Sequence, residues 1–199
     1  MRAKRIAFLL AVCGPFFVPL TKTQTVQKTA RAFRPPPIQD MYVSWEGQPI
    51  AEIGLKPKEL ADVLSIVLST SKHGPVSDFR TPSALEEKLL ARHVDMGEGT
   101  NNGLDVHGRG LLCGASGNCP TWFFRRLHAK WELVLGGQWP GAFAFISPKH
   151  NGLLDLVLIA HLSADEAPTD VWQFNGTLFE RTKSYCSYGD GRVLEGGCQ

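Results

Sequence analysis

What this chain of 199 residues lacks narrows it before anything it contains. Its six histidines, His73, His93, His107, His128, His150 and His161, form no H-x-x-x-H and no H-E-x-x-H pair, so their spacing points to no zinc centre. Ser116 stands in Gly114-Ala115-Ser116-Gly117, without the G-x-S-x-G spacing of a nucleophile elbow and with strand-like sequence where a helix should follow. Cys113 and Cys119 enclose five residues, unlike a redox C-x-x-C. The acidic stretch that begins at Asp95 misses the D-x-[DN]-x-[DN]-G spacing of an EF-hand loop.

A surplus of charge is missing as well. The formal net charge is +2, and three of the basic residues, Arg2, Lys4 and Arg5, stand at the very start. Ile6 to Leu20 follows as 15 residues without a charge. A basic start and a short apolar run make a secretory signal, and the run is too short and too broken by Pro15 and Pro19 for a membrane span. No small-x-small cleavage pattern closes it; Leu10-Ala11-Val12-Cys13 has the outline of a lipobox, but Val12 occupies a position that wants a small residue. Removing residues 1–20 leaves 18 basic against 19 acidic residues, a net charge of −1, which leaves no electrostatic footprint for nucleic acid. The expectation is an exported protein, periplasmic or extracellular, with no transmembrane helix in the mature chain.

Of five cysteines, Cys13 goes with the leader and four remain, an even number in an exported chain. Four cysteines allow three connectivities. Loop economy favours Cys113–Cys119 and Cys186–Cys198, each closing a short glycine-rich segment, and a cross-link from the tail to the 113–119 loop stays open as the alternative.

Residues 21–40 are polar, end in Pro35-Pro36-Pro37 and show no apolar period, so they read as a spacer ahead of a single α+β domain over 41–199. Met41 to Ile53 contains two short alternating pieces around Glu46-Gly47, a hairpin or strand. Leu60, Val63, Leu64, Val67 and Leu68 then repeat at helical spacing behind Pro57, with a stop at Lys72-His73-Gly74-Pro75. A second helix is expected from Pro82 to about His93, capped by Thr81 and carrying Leu85, Leu89 and Leu90 on one stripe. Beyond it lie short β-type runs, 104–112, 120–127, 131–135, 142–147, 153–162, 170–174 and 177–185, separated by turn residues. The run Leu153 to Leu162 is apolar on both alternations apart from Asp155 and His161, the mark of a strand inside a sheet. The predicted fold is two amphipathic helices packed on one antiparallel, mostly meander β-sheet stapled by disulfides. Asn175-Gly176 predicts a two-residue turn that sets Phe174 opposite Thr177, Trp172 opposite Phe179 and Asp170 opposite Arg181.

Taken in order, the loop CGASGNC, the stretches PTWFF and HNGLLDLVLIAHL, and the hairpin VWQFNGTLFERTKSYC resemble a family of exported bacterial proteins of unknown function. That family carries a C-G-x-x-G-x-C loop, a glycine-x-x-aspartate-leucine strand start and a late aromatic hairpin. The resemblance covers about Val94 to Cys186 and implies no activity. Asp95 to Val106, echoed by Asn151 to Val157, is also similar to half-repeats of FG-GAP proteins, which implies a propeller-blade-like sheet used alone, since a closed propeller needs more blades than this chain can hold.

Three kinds of site are left. Asp95, Glu98, Asn101 and Asp105 could offer calcium several oxygens, although a solvated turn explains them too. Asp105, His107 and Ser116 lie close enough in sequence to be considered as a hydrolase set, and His161 would need to meet Asp155 or Asp105 to matter. Trp131, Trp139 and Phe143, around Gly136-Gly137, could form an aromatic patch, and Ser116 and Asn118 lie on the clipped loop. With no catalytic set and no cofactor indicated, the expectation is a non-enzymatic module binding a protein or an envelope component. An envelope-associated hydrolase is the alternative, as is an inhibitor of a secreted enzyme that presents the 113–119 loop.

Overall fold

The computed structural model describes residues 41–43, 46–71, 74–97, 99 and 102–198. The leader and spacer of the sequence reading lie outside the described residues. Among these, no helix is long and apolar enough to cross a membrane.

Two strands open the described chain, β1 (Tyr42–Val43) and β2 (Gln48–Pro49). Helix α1 (Pro57–Thr70) and the short α2 (Pro82–Glu86) follow. Nine strands complete it: β3 (Leu89–Val94), β4 (Gly103–Gly108), β5 (Thr121–Leu127), β6 (Lys130–Gln138), β7 (Ala142–His150), β8 (Leu153–Ile159), β9 (Glu166–Phe174), β10 (Phe179–Tyr188) and β11 (Val193–Glu195). They form two antiparallel sheets, β2-β3-β4-β5-β6 and β1-β7-β8-β9-β10-β11, and neither closes on itself. The meander connectivity agrees with the sequence reading, but the single sheet becomes two. The chain changes sheets at Trp139-Pro140-Gly141, where Pro140 has no N–H to continue a ladder.

The sequence Trp122-Phe123-Phe124 shows how the layers stack. All three rings are buried, and alternation along β5 sends Trp122 and Phe124 to one face and Phe123 to the other. On the first face they meet Val63, Leu64 and Val67 of α1 together with Leu85, Leu89, Ala91, Leu104, Val106 and Trp131. On the second, Phe123 joins Phe143, Leu156, Leu158, Phe174 and Phe179 of the six-stranded sheet. Each fully buried side chain of this size contributes about 1.5–3 kcal/mol. The order is therefore helices, five-stranded sheet, six-stranded sheet, with the helices on the sheet that does not contain β8. A third cluster, Val157, Val171 and Tyr185, lies on the far face of the six-stranded sheet. Burial, and secondarily the charge of Glu195, raises the pKa of the Tyr185 hydroxyl.

Three local expectations change. The second helix stops at Glu86, and Leu89–Val94 is a strand whose Leu89 and Ala91 face the helices while Val94 faces the other sheet. Full pairing with β4, from Leu89↔Gly108 to Val94↔Gly103, outweighs the helical spacing of Leu85, Leu89 and Leu90. Tyr42–Val43 and Gln48–Pro49 do not form a hairpin, since β1 pairs with β7 and β2 with β3 in the other sheet. The β9–β10 ladder pairs Phe174 with Phe179 and Trp172 with Arg181, two residues out from the predicted register. As far as Arg181 this two-residue shift keeps the side chains on their predicted faces, and a bulge between Arg181 and Lys183 moves the rest of the ladder by one residue more. The aromatic pair becomes Phe174 and Phe179, with ring centroids 5.5 Å apart, and Arg181 still reaches Asp170 diagonally at 3.3 Å.

Candidate functional site

Cys113 and Cys119 lie at bonding distance, with Cα atoms 4.2 Å apart, and so do Cys186 and Cys198, at 4.8 Å. The first pair closes a clip between a 3-10 turn at Gly110–Leu112 and the start of β5. Backbone bonds shape the clip from within: Gly114 N–H donates to Asn118 C=O at 2.8 Å and Gly117 N–H to Gly114 C=O at 2.9 Å.

The clip is also fastened to the other sheet. The Asn118 side chain behaves as a peptide group, its Nδ2 donating to His161 C=O at 2.8 Å and its Oδ1 accepting from His161 N–H at 2.9 Å. Cys119 N–H donates to Pro140 C=O at 3.2 Å, and Gly141 N–H to Ile159 C=O at 2.8 Å. A Cβ at Gly141 would stand 2.6 Å from His161 Cδ2 and 3.1 Å from Asn118 Oδ1, so a larger residue here would have to displace the His161 ring. The result is a braced junction of clip, sheet-switching corner and β8 end.

Exposed apolar side chains are attached to this junction. Leu111, two residues before Cys113, is 99% exposed; Trp139, next to Pro140, is 38% exposed; Leu162, next to His161, is 58% exposed. The predicted aromatic patch is thereby corrected. Trp131 is buried under α1, with Arg126 over its ring at 5.4 Å, and Phe143 is fully buried between the sheets. Trp139 alone of the three faces outward, because the corner that changes sheets turns it off the ladder. Leu111 and Leu162 carry no sequence signal, since an isolated leucine beside a turn normally packs down.

Asp105 and His107 come together and Ser116 does not join them. Both sit on one face of β4, two residues apart, and His107 Nδ1 lies 3.0 Å from Asp105 Oδ2. The same oxygen accepts from Arg92 Nε at 2.9 Å, so the Nδ1 position carries the proton donated to it. Arg92 lies directly opposite Asp105 in the ladder, bonds Val43 C=O through Nη2 at 2.7 Å, and lies over the rings of Tyr42 and Phe143 at 5.0 and 5.1 Å. Asp105 and His107 are fully buried, and Asp105 Oδ1 and His107 Nε2 have no hydrogen-bond partner. Ser116 is exposed on the clip. The trio is thus an ion-paired plug between the sheets with an outlying serine, which lacks the nucleophile-to-base bond that acyl transfer requires.

Of the predicted calcium oxygens, those of the two described residues, Asp95 and Asp105, are engaged separately. Asp95 Oδ1 accepts from the N–H groups of Gly97 at 2.6 Å and Gly99 at 3.3 Å, closing its own turn, whereas Asp105 is in the buried plug. Glu98 and Asn101 lie outside the described residues. Among the described residues no three His, Cys, Asp or Glu side chains are placed to hold a metal ion. Asp155 meets His150 instead of His161: His150 Nδ1 is 2.5 Å from Asp155 Oδ1, and Gln173 Nε2 donates to Asp155 Oδ2 at 3.1 Å. His161 is exposed, with its ring over Gly141.

A cleft runs beside Trp139. About 380 Å³ in volume, it is lined by Thr70 and Ser71 at the end of α1, by Val76, Pro120 and Trp122, and by Gly136, Gly137 and Trp139. Gly136 has to be small, since a Cβ there would lie 2.8 Å from Trp122 Cδ1. Ser71 shares in a neighbouring groove of about 470 Å³, lined also by Ser65, Ser69, Ser77, Phe79 and Arg80. Comparison with family models, with curated proteins and with solved structures finds no match to this chain, so its sites rest on their own geometry.

Proposed function

We propose that this protein is an exported, non-catalytic binding module that engages a protein or envelope component through the surface around the Cys113–Cys119 clip. The observation that carries this reading is the attachment of exposed Leu111, Trp139 and Leu162 to one junction held by a disulfide and by hydrogen bonds between the two sheets. Apolar side chains on a pre-ordered support lose little conformational entropy when a partner covers them. Two cysteine pairs at bonding distance support an oxidising compartment, in keeping with the basic start and apolar run of the first 20 residues. The order of the clip, the β8 start and the late hairpin supports kinship with the exported family that the sequence resembles.

The test is retention. Oxidised protein immobilised on a support is exposed to solubilised envelope from its source cells, beside a variant with Leu111→Ser, Trp139→Ser and Leu162→Ser. All three side chains are exposed, so the variant is expected to keep its circular dichroism spectrum and melting temperature while retaining at least tenfold less of the captured component. Equal retention by both proteins, or none by either, overturns the reading.

A further inference from the structure

Strand β6 ends the five-stranded sheet, so one of its sides has no neighbouring strand among the described residues. Which of its backbone groups look outward follows from the turn before it. His128 and Ala129, at φ 48° and 64°, form a two-residue loop, and Leu127 and Lys130 pair across it. The pair that flanks such a loop is hydrogen-bonded. Alternation along the ladder then bonds Glu132 to β5 and turns the N–H and C=O of Trp131 and Leu133 toward the open side. Among the described residues no backbone group outside the ladder bonds either of them. At Val134 the strand carries an extra residue, since Phe124 and Phe123 face Leu133 and Leu135, and this bulge ends the regular edge. The open stretch is therefore short, Lys130 to Leu133.

This stretch lies in a groove. Toward its far end a space of about 260 Å³ touches Thr70 of α1, Leu133 to Gly136 of β6, and Leu178 and Phe179 of the β9–β10 hairpin. Helix α1 and that hairpin are on opposite faces of the five-stranded sheet, so a space that reaches both lies beyond the sheet's edge. Beside the start of β6 a second space, of about 750 Å³, is lined by Lys56, Lys58, His128 and Lys130 with Glu59 and Asp62, and by Ile66 and Trp131. The two adjoin, because Ile66 and Thr70 are one helical turn apart and Trp131 and Leu133 two residues apart. Glu59 is already engaged, its Oε1 by Arg126 Nη2 at 2.8 Å and its Oε2 by the Lys56 N–H at 3.0 Å. Among the described residues none of the three lysines is in an ion pair, so they outnumber Asp62, the other acid of this lining. The groove is thus basic at one end and apolar at the other, with free main-chain donors and acceptors between.

We propose that this edge takes an extended acidic peptide segment of a partner protein. The segment adds a short strand to β6 over Trp131 to Leu133, sets carboxylates among Lys56, Lys58 and Lys130, and places an apolar side chain in the space lined by Leu135 and Leu178. Main-chain bonds to a sheet edge supply affinity in this mode, and the alternate side chains and their charges supply specificity. The chain's own spacer has the wrong sign for the basic end, since residues 21–40 hold four basic residues and one acidic. A second copy would bring the same lysine excess against itself. Leu133 is six residues of chain from Trp139, roughly 20 Å in extended strand, so this is a second site beyond the clip surface.

The probe is a displayed library of random decapeptides, panned on oxidised full-chain protein, with the enriched peptides synthesised and titrated by fluorescence anisotropy. Enrichment of peptides with Asp or Glu beside alternating aliphatic residues is expected, with saturable binding that weakens at least threefold between about 50 and 500 mM salt. Methylating single backbone amides along the best peptide is expected to abolish binding at alternate positions and to change it less than about threefold at the positions between, which side-chain docking alone would not give. Lys58→Glu with Lys130→Glu is expected to weaken binding tenfold or more, and Leu178→Ser about fivefold, all at exposed positions and with an unchanged melting temperature. The proposal is overturned if no acidic peptide is enriched, if the charge-reversed variant binds like the parent, or if amide methylation shows no alternation. A free protein that is dimeric in light scattering, with the Trp131 and Leu133 amides already protected from exchange, would give the edge to a second copy and overturn it as well.

Discussion

Asp105 has one oxygen shared by Arg92 and His107 and the other with no partner, all within the seam between the sheets. A buried charge pair of this kind gains little over a well-packed apolar set, but removing one partner strands the other in a low-dielectric interior. Asp105→Ala is therefore expected to lower unfolding stability by about 3–5 kcal/mol, read from urea denaturation. Replacing Arg92, Asp105 and His107 together with apolar residues of similar volume should recover most of that loss. A fall below about 1 kcal/mol for Asp105→Ala would mean that the pair is not desolvated as the structure has it. Half of this arrangement is legible in the sequence, since residues two apart on a strand share a face. Arg92 is not, because it lies thirteen positions away in a segment whose leucines have helical spacing.

At the scale of elements, the hairpin between β9 and β10 shows how a correct turn signal can still give the wrong register. Asn175-Gly176 marks the reversal, and Gly176 takes a φ of 106°. Asn175, however, does more than enter a tight turn. Its Oδ1 accepts from the N–H groups of Thr177 at 2.9 Å and Leu178 at 3.0 Å, its N–H donates to Leu178 C=O at 3.0 Å, and its Nδ2 reaches Glu180 at 2.7 Å. Those side-chain bonds stabilise a four-residue loop over 175–178 and move the first pair out to Phe174 and Phe179. Asn175→Ala removes three side-chain hydrogen bonds on an exposed loop and is expected to cost about 1–2 kcal/mol, with faster amide exchange at Thr177 and Leu178. If those amides exchange as slowly in the variant as in the parent, backbone pairing protects them and the two-residue turn is right after all. Helix α1, by contrast, was fully legible, because Val63, Leu64 and Val67 both follow the helical period and are buried where that period puts them.

For the whole molecule, the hidden feature was the change of sheet. A short connection between two β runs reads as a hairpin, and nothing local in Gln138-Trp139-Pro140-Gly141 says that the next strand pairs with β1 and β8. What makes the switch hold is distributed over the molecule: Phe123 against Phe143 at 4.8 Å, Asn118 on His161, Cys119 on Pro140, and the disulfide behind them. The two disulfides therefore have different work. Both close short loops, of 6 and 12 residues in sequence separation, and on the chain-entropy model each is worth about 2–3 kcal/mol. Cys186–Cys198 fixes the tail near β10 and β11, at the edge of the six-stranded sheet, whereas Cys113–Cys119 holds the segment that supports Trp139. Replacing Cys186 and Cys198 by Ser is expected to lower stability by about 2–3 kcal/mol and leave envelope retention unchanged. Replacing Cys113 and Cys119 by Ser is expected to cost a similar amount of stability and also to weaken retention at least fivefold at a temperature where the fold is intact, because the junction must then be ordered on binding. Peptide mapping of the parent without reduction should give fragments joining 113 to 119 and 186 to 198. A fragment joining 113 or 119 to the tail would refute the pairing, and equal retention by the two serine variants would show that the clip does not order the surface it carries.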